Sequence, residues 1–304
     1  MPESVYPFSA VVGQQMMKKA ILLSIINPRL SPVLIRGFRG TAKGTILKSL
    51  PELVPDIEVV SGCQNNCAPA DRDNFCPDCR GRASLGMIES RMQPMPVLQL
   101  SQNYQLFTKS SKRLDSWASE FKALSSAHRG ILAVDKINLY GEKTVDSLLN
   151  FAIKGFKASD SARSSSFALI ATINIEDGDI SPAALDRFVL QVNVRDITDI
   201  EERIEITKRM IEFKKSPASF RSKFRQEQEK LGKMIVRARE DVPKVECPPK
   251  VKDVFPAICK KFKLGRMEAM LEQTAITNAA YEGKKYISLD DVMEILDITV
   301  PHKL

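Results

Sequence analysis

The residues from Gly37 to Thr45 read Gly-Phe-Arg-Gly-Thr-Ala-Lys-Gly-Thr. Their types and spacing suit the binding of a phosphate group. In a loop of the form Gly-x-x-x-x-Gly-Lys-Ser/Thr, backbone N–H groups and a following helix N-terminus point at an anion, and the lysine adds a point charge. Gly37 and Lys43 hold the first and the cationic positions. Ala42 stands where the second glycine belongs, and Gly44 stands where the hydroxyl belongs. The loop is therefore expected to cradle phosphate with two defects.

A second candidate is Asp135, which closes the apolar run Gly130-Ile131-Leu132-Ala133-Val134. An apolar strand ending in aspartate downstream of a phosphate loop is the Walker B arrangement, whose carboxylate holds the magnesium shell. Any buried strand can end in aspartate, so the pairing with the loop is what gives the residue weight. The next position often carries an acid that activates water, and here it is Lys136. Asn174 ends another apolar run from Phe167, where an amide can orient water against a γ-phosphate; a plain strand-capping asparagine is the commoner case.

Cys63, Cys67, Cys76 and Cys79 follow the spacing Cys-x3-Cys-x8-Cys-x2-Cys, within 17 residues rich in Asn, Asp, Pro and Ala. Thiolates are soft ligands, and tetrahedral zinc takes four of them with short knuckle spacings. A structural metal is expected, zinc ahead of an iron–sulfur cluster, in preference to four free or redox-active thiols. So polar a loop has little core of its own, and a metal would fold it. Cys247 and Cys259 have no close cysteine partner and are assigned to packing.

These residues need strands and helices to hold them. Pro32 to Arg36 reads as a buried strand before the loop, and Ile46 to Leu50 as the helix after it. Residues 15–26 and 145–153 read as helices, and Ile57 to Val60, Met95 to Leu100 and Val189 to Val194 as further strands. Residues 113–127 read as a helix with Leu114, Trp117, Phe121 and Leu124 on its core face. Residues 157–166 form a Ser-rich loop. From Thr198 the pattern is helical only, with long charged helices over 199–215 and 218–240. Three prolines between Asp241 and Pro249 stop the second of them, and 251–262, 266–282 and 289–296 read as three more. The expected fold is α/β, a parallel sheet with flanking helices followed by a smaller all-α domain. The boundaries are 1–197 for the nucleotide domain, with the cysteine insertion at 61–82, then helical connection 198–246 and helical lid 247–304.

At 304 residues, with 43% hydrophobic and 27% charged residues, the chain is an ordinary globular one of one or two domains. No apolar run approaches the length of a membrane span, and the N-terminus has no basic-then-apolar leader, so a cytoplasmic location is expected. The net charge of +8 is spread along helices without a basic block, which favours a solvated surface over a nucleic-acid interface.

Along nearly its whole length the chain resembles the AAA+ ATPase subunit I family of magnesium chelatases. Tyr6-Pro7-Phe8 with Val12-Gly13-Gln14 is similar to that family's N-terminal signature, and Gly37-x-Arg39-Gly40-Thr41-x-Lys43 to its phosphate loop. His128-Arg129-Gly130-Ile131-Leu132-x-Val134-Asp135 with Asn138-Leu139 resembles its Walker B segment. Thr172-x-Asn174 and Leu185-Asp186-Arg187-Phe188 resemble its sensor-1 and arginine-finger segments, and Gly265-Arg266 the start of its sensor-2 helix. Glu282-Gly283, Asp290-Asp291-Val292 and Pro301-His302 resemble its C-terminal end.

The resemblance implies a homo- or hetero-oligomeric ring using ATP and Mg2+. It assigns Gly37, Gly40, Thr41, Lys43 and Thr45 to the nucleotide, Asp135 to magnesium and Asn174 to the attacking water. Arg187 would serve the neighbouring subunit's site and Arg266 the γ-phosphate. It also implies chelatase D-type and H-type partner subunits and metal insertion into a porphyrin. The cysteine loop lies outside the plant-type pattern and is read as structural, with Zn2+.

The departures bear on catalysis. Ala42 puts a Cβ where the backbone nears phosphate, at a position expected to need positive φ. Gly44 removes the magnesium-ligating hydroxyl, and Thr45, one place late, falls nearer the α-phosphate. Lys136 replaces a carboxylate with a cation. Segment 101–112 lacks the family's Gly- and Glu-rich pattern, and 158–166 is shorter than its hairpin insertion. Slow or absent hydrolysis with retained binding is the expectation. The alternatives are a non-hydrolysing scaffold beside an active paralogue, and a MoxR-like chaperone ATPase.

Overall fold

A computed structural model describes residues 5–82, 86–98, 124, 126–155, 165–265 and 267–299. Among the described residues, five strands make one parallel sheet: β1 (Val33–Gly37), β4 (Val97–Leu98), β5 (Ile131–Val134), β6 (Ala168–Asn174) and β7 (Leu190–Val194), in the order β4-β5-β6-β1-β7. β6 is buried along its whole length, and its stretch from Ala168 to Ala171 is apolar on both faces because helices cover both faces of a parallel sheet.

On one face lies α1 (Gln15–Ile26), with Ile21, Leu23 and Ile25 packed on Val33, Ile35 and Ile170. On the other lies α3 (Glu142–Lys154), whose Val145, Leu148 and Leu149 meet Leu34, Leu132 and Leu169. Between them in sequence, α2 (Lys43–Ser49) leaves the end of β1. The helix thus starts at Lys43, three residues earlier than the apolar run at Ile46 suggested, because the phosphate loop itself forms the first turn.

Parallel registers align the strand ends. Gly37 of β1 lies opposite Asn174 of β6 and Val194 of β7. Val134 of β5 lies opposite Ala171 of β6, so the next residue, Asp135, falls beside Thr172. The carboxyl ends of these strands therefore gather the phosphate loop, Asp135 and Asn174 at one edge, where open α/β sheets bind ligands.

After β7 come α4 (Ile200–Lys215) and α5 (Pro217–Asp241), then a helical turn Pro249–Lys252, α6 (Val254–Phe262), α7 (Glu268–Glu282) and α8 (Leu289–Thr299). The helix expected over 251–262 is thus broken at Asp253 into a turn and α6. α7 packs on α1 and α5, and α8 on β7. Phe255, Leu271, Ala275 and Ile295 belong to the same continuous apolar core as α1 and β1.

Ile57–Val60 (β2) is a strand as expected, but it lies outside the parallel sheet. It pairs antiparallel with β3 (Ile88–Arg91), which the sequence did not announce. β3 is a half-exposed ribbon strand, Ile-Glu-Ser-Arg, with no apolar face for periodicity to detect. The end of the expected strand at 99–100, most of the helix over 113–127, segment 101–112, residues 157–164 of the Ser-rich loop, Arg266 and 301–302 lie outside the described residues. Among the described residues no helix is long and apolar enough to cross a membrane.

Candidate functional site

The phosphate loop starts where β1 has no room for a side chain. A Cβ at Gly37 would lie 2.6 Å from the carbonyl oxygen of Val194 on the adjacent strand. Gly40 turns the loop at φ 85°, and Ala42 follows at φ 66°, ψ 9° before α2 begins. The position of the missing glycine thus keeps the left-handed backbone that glycine adopts freely and alanine only under strain. A Cβ at Gly44 would meet no atom within 4 Å, so the hydroxyl position is open space.

Lys43 is buried and folds back over the loop. Its Nζ donates to the carbonyls of Gly37 at 2.7 Å and Phe38 at 2.6 Å and to Thr41 Oγ1 at 3.2 Å. Burial pulls the lysine below its ordinary pKa, against the raising influence of Glu176, Asp135, Asp196 and Asp177. The loop places one desolvated cation among several carboxylates.

Across the cleft, the hydroxyl of Thr172 donates to Asp135 Oδ1 at 2.6 Å, and the backbone N–H of Lys136 donates to Thr172 Oγ1 at 2.9 Å. Lys136 has φ 55°, a left-handed turn that leads out of the strand end into the short turn Ile137–Leu139. Asn174 Nδ2 donates to Asp177 Oδ2 at 3.1 Å. Behind it, Asn138 Nδ2 donates to the carbonyl of Gly178 at 2.9 Å.

These groups open on a cleft of about 1020 Å³. Gly40, Thr41, Lys43, Thr45, Asp135, Lys136 and Asn174 line its polar end, and Tyr6, Val11, Val12 and Ile197 an apolar part of its wall. The volume and the division into polar and apolar ends suit a nucleotide. The remaining wall is α4, through Arg203, Ile206, Met210, Phe213 and Lys214. Sequence reasoning missed this wall. α4 has no buried residue, so its apolar side chains form no core stripe, and only its place after β7 carries it to the cleft. Among the described residues none beyond 214 lines the cleft.

Arg187 is not among the residues that line this cleft. It stands beside α3, donating to Asn150 Oδ1 at 2.9 Å and pairing with Asp146 at 3.3 Å. Arg266 lies outside the described residues.

The cysteine residues form a second centre. Cys63, Cys67, Cys76 and Cys79 are all buried, and their Sγ atoms lie within 4.8 Å of one another. Cys63 and Cys76 sulfurs are 3.9 Å apart, too far for a disulfide and close to the ~3.8 Å that a tetrahedron of 2.3 Å Zn–S bonds requires. The backbone N–H of Cys76 donates to Cys67 Sγ at 3.2 Å, which stabilises a thiolate there. Burial raises the Cys76 thiol, but hydrogen bonds from the Cys79 backbone and from neighbouring side chains outweigh it and bring it to about 7. The donor set fits a soft tetrahedral metal. Arg129 fastens this module to the strand that carries Asp135, donating to the carbonyls of Glu58 at 2.7 Å and Asn66 at 3.0 Å.

No protein-family model matches the chain. Curated relatives do. It is 35% identical over 314 residues to a magnesium-chelatase subunit ChlI homolog of Methanocaldococcus jannaschii, covering 99% of this chain and 86% of that one. It is 32% identical over 317 residues to the magnesium-chelatase 38 kDa subunit of Acidiphilium rubrum, covering 99% and 91%. Among solved structures, a chain from the complex between subunits BchI and BchD of magnesium chelatase matches at 29% identity and TM-score 0.50, over 98% of this chain and 96% of that one. A putative ATPase from Cytophaga hutchinsonii, at 14% identity and TM-score 0.57 over 97% and 83% of the two chains, shares the fold alone.

Proposed function

The chain belongs to the magnesium-chelatase subunit ChlI family of AAA+ ATPases, and from that membership we propose that it is the ATP-holding subunit of a chelatase-like ring, with weak hydrolysis. In that assembly its nucleotide state is coupled to metal insertion into a porphyrin, and it works with D-type and H-type subunits in the cytoplasm.

The observation that carries this reading is the state of the cleft. The phosphate-facing half is built, with Lys43 buried at the loop and Asp135 held by Thr172. The two positions that would complete hydrolysis are not: Gly44 offers no hydroxyl to magnesium, and Lys136 presents a cation where a carboxylate would activate water. Gly40, Thr41, Lys43 and Thr45 hold the phosphates, Asp135 holds magnesium, and Asn174 is the amide for the attacking water. The Lys136 ammonium supplies part of the charge that magnesium supplies elsewhere, which makes binding less dependent on the metal. Loss of a metal ligand and of a water-activating group removes two separate supports of phosphoryl transfer.

A scaffold reading is favoured by one further observation. Arg187 is held against α3 through Asn150 and Asp146 and does not line its own cleft, as a residue serving a neighbour would not. In this form the subunit sits beside an active paralogue, binds ATP without turnover and donates Arg187 across the ring. We propose further that the subunit divides into a nucleotide domain over 1–197, connecting helices over 198–246 and a helical domain over 247–304, with Arg266 as a γ-phosphate contact. The four cysteines hold a structural zinc that folds the β2–β3 module.

ATP binding and turnover measured on one purified sample, with and without magnesium, test the reading. Binding with little turnover supports it. Rapid magnesium-dependent turnover overturns the weak-hydrolysis part, and absence of binding overturns the whole.

A further inference from the structure

We propose that the acidic stretch after β6, Glu176-Asp177-Gly178-Asp179, is an internal anion that competes with the nucleotide for the groups of the phosphate loop. The proposal rests on reading that loop as a nucleotide site.

Each carboxylate of the stretch takes a group that faces or supports the loop. Glu176 Oε1 accepts the backbone N–H of Arg39 at 2.8 Å, a donor inside the loop between Gly37 and Lys43. Backbone donors of this kind are what a phosphate loop offers to phosphate oxygens. Asp177 Oδ1 accepts from the Arg39 guanidinium at 2.5 Å. Its other oxygen accepts from Asn174 Nδ2, the amide at the end of β6 that lines the cleft. Asp179 pairs with Arg36, the residue just before the loop.

The backbone is shaped for this return. Gly178 has φ 98°, and its carbonyl accepts from Asn138 Nδ2 at 2.9 Å, so the chain doubles back after Asp177 and carries Asp179 to Arg36. The Arg39 side chain is 64% exposed, so water competes for its ion pairs with Glu176 and Asp177 and each is individually weak. Weak, local and anionic contacts are the kind that an entering triphosphate can displace.

The electrostatic sign follows. Carboxylates that remain beside a bound triphosphate repel it, and here fewer magnesium ligands are present to offset that repulsion, since Gly44 has no hydroxyl. The stretch therefore weakens binding in proportion to the charge of the ligand. ATP should feel it more than AMP.

The test is titration of the full-length protein with ATP and with AMP, in wild type, Glu176→Gln, Asp177→Asn and the double variant. Glu227→Gln on the outer surface of α5 is the charge-removal control, and circular dichroism checks the fold. We expect the double variant to bind ATP about three- to tenfold more tightly, AMP to change less, and the control to match wild type. Binding of ATP by the double variant alone also supports the proposal. If wild type binds ATP and the double variant binds it equally or more weakly, the carboxylates are not competitors and the proposal falls while the nucleotide site stands. If neither binds, the nucleotide reading falls with it. Should the double variant lose its fold, Glu176→Gln alone decides by the same criterion.

Discussion

Thr172 joins two positions of the cleft through one oxygen: its hydroxyl donates to Asp135 Oδ1 at 2.6 Å, and the same oxygen accepts the backbone N–H of Lys136 at 2.9 Å. The Asp135 carboxylate and the backbone of Lys136 are therefore both tied to β6. Lys136 stands where the turn holds it, so changing its side chain alone changes the chemistry there.

Restoring the lost groups should raise turnover. Gly44 has open space around a Cβ and a helical backbone, so Gly44→Ser fits without strain. With Lys136→Glu it returns a magnesium ligand and a water-activating carboxylate. Magnesium-dependent phosphate release should rise by about tenfold or more in the double variant, with either single change giving less. An unchanged rate would put the block elsewhere in the site.

Lys43→Met should abolish most binding while leaving the fold. The ammonium makes three hydrogen bonds within the loop and is the one cation buried there among the described residues. A charge-assisted contact to phosphate contributes about 1.5–3 kcal/mol, so a titration should show ATP affinity falling by about 10- to 100-fold.

Ala42→Gly tests the strain in the loop. An alanine at φ 66° costs about 1 kcal/mol relative to a glycine, part of which the greater unfolded-state freedom of glycine takes back. Thermal unfolding should shift upward by about 1–3 °C. A downward shift would mean that the Cβ makes packing contacts worth more than the strain.

Elemental analysis of the purified protein should find about one zinc per chain. Cys79→Ser should release it and make residues 57–91 open to protease, because among its described residues the module has only a small apolar cluster of its own around Val60 and Phe75. Iron with visible absorbance in place of zinc would assign the site to a cluster.

Arg187→Ala should leave ATP binding by this chain unchanged, since the residue contacts α3 and not the cleft. Mixed with a turnover-competent subunit of the same family, the variant should lower the mixture's hydrolysis by about tenfold or more. Equal stimulation by wild type and variant would remove the residue from any role in trans.

How much could be read before folding depends on how local the determinant is. The phosphate loop, the strand ending in Asp135 and the four cysteines are signatures whose meaning lies in types and spacing over a few residues, and the structure brings each set together. The left-handed backbone at Ala42 was legible too, because the loop fixes it regardless of which residue is present. β3 was not, since its partner is made by backbone hydrogen bonds to β2 across the cysteine loop and not by an apolar pattern. Nor was the cleft wall on α4, whose exposed, mixed-charge surface looks like any solvated helix.

The sequence by itself determined the parallel α/β sheet, the loop and its two defects, and the metal-suited thiols, because each is set by local backbone preference, burial of apolar runs or ligand chemistry. Only the tertiary structure decided what faces what. It set Thr172 against Asp135, the 176–179 carboxylates against Arg36 and Arg39, α4 over the cleft and Arg187 away from it. Those relations come from strand order and register. Packing fixes them between segments far apart in the chain, and no local pattern encodes them.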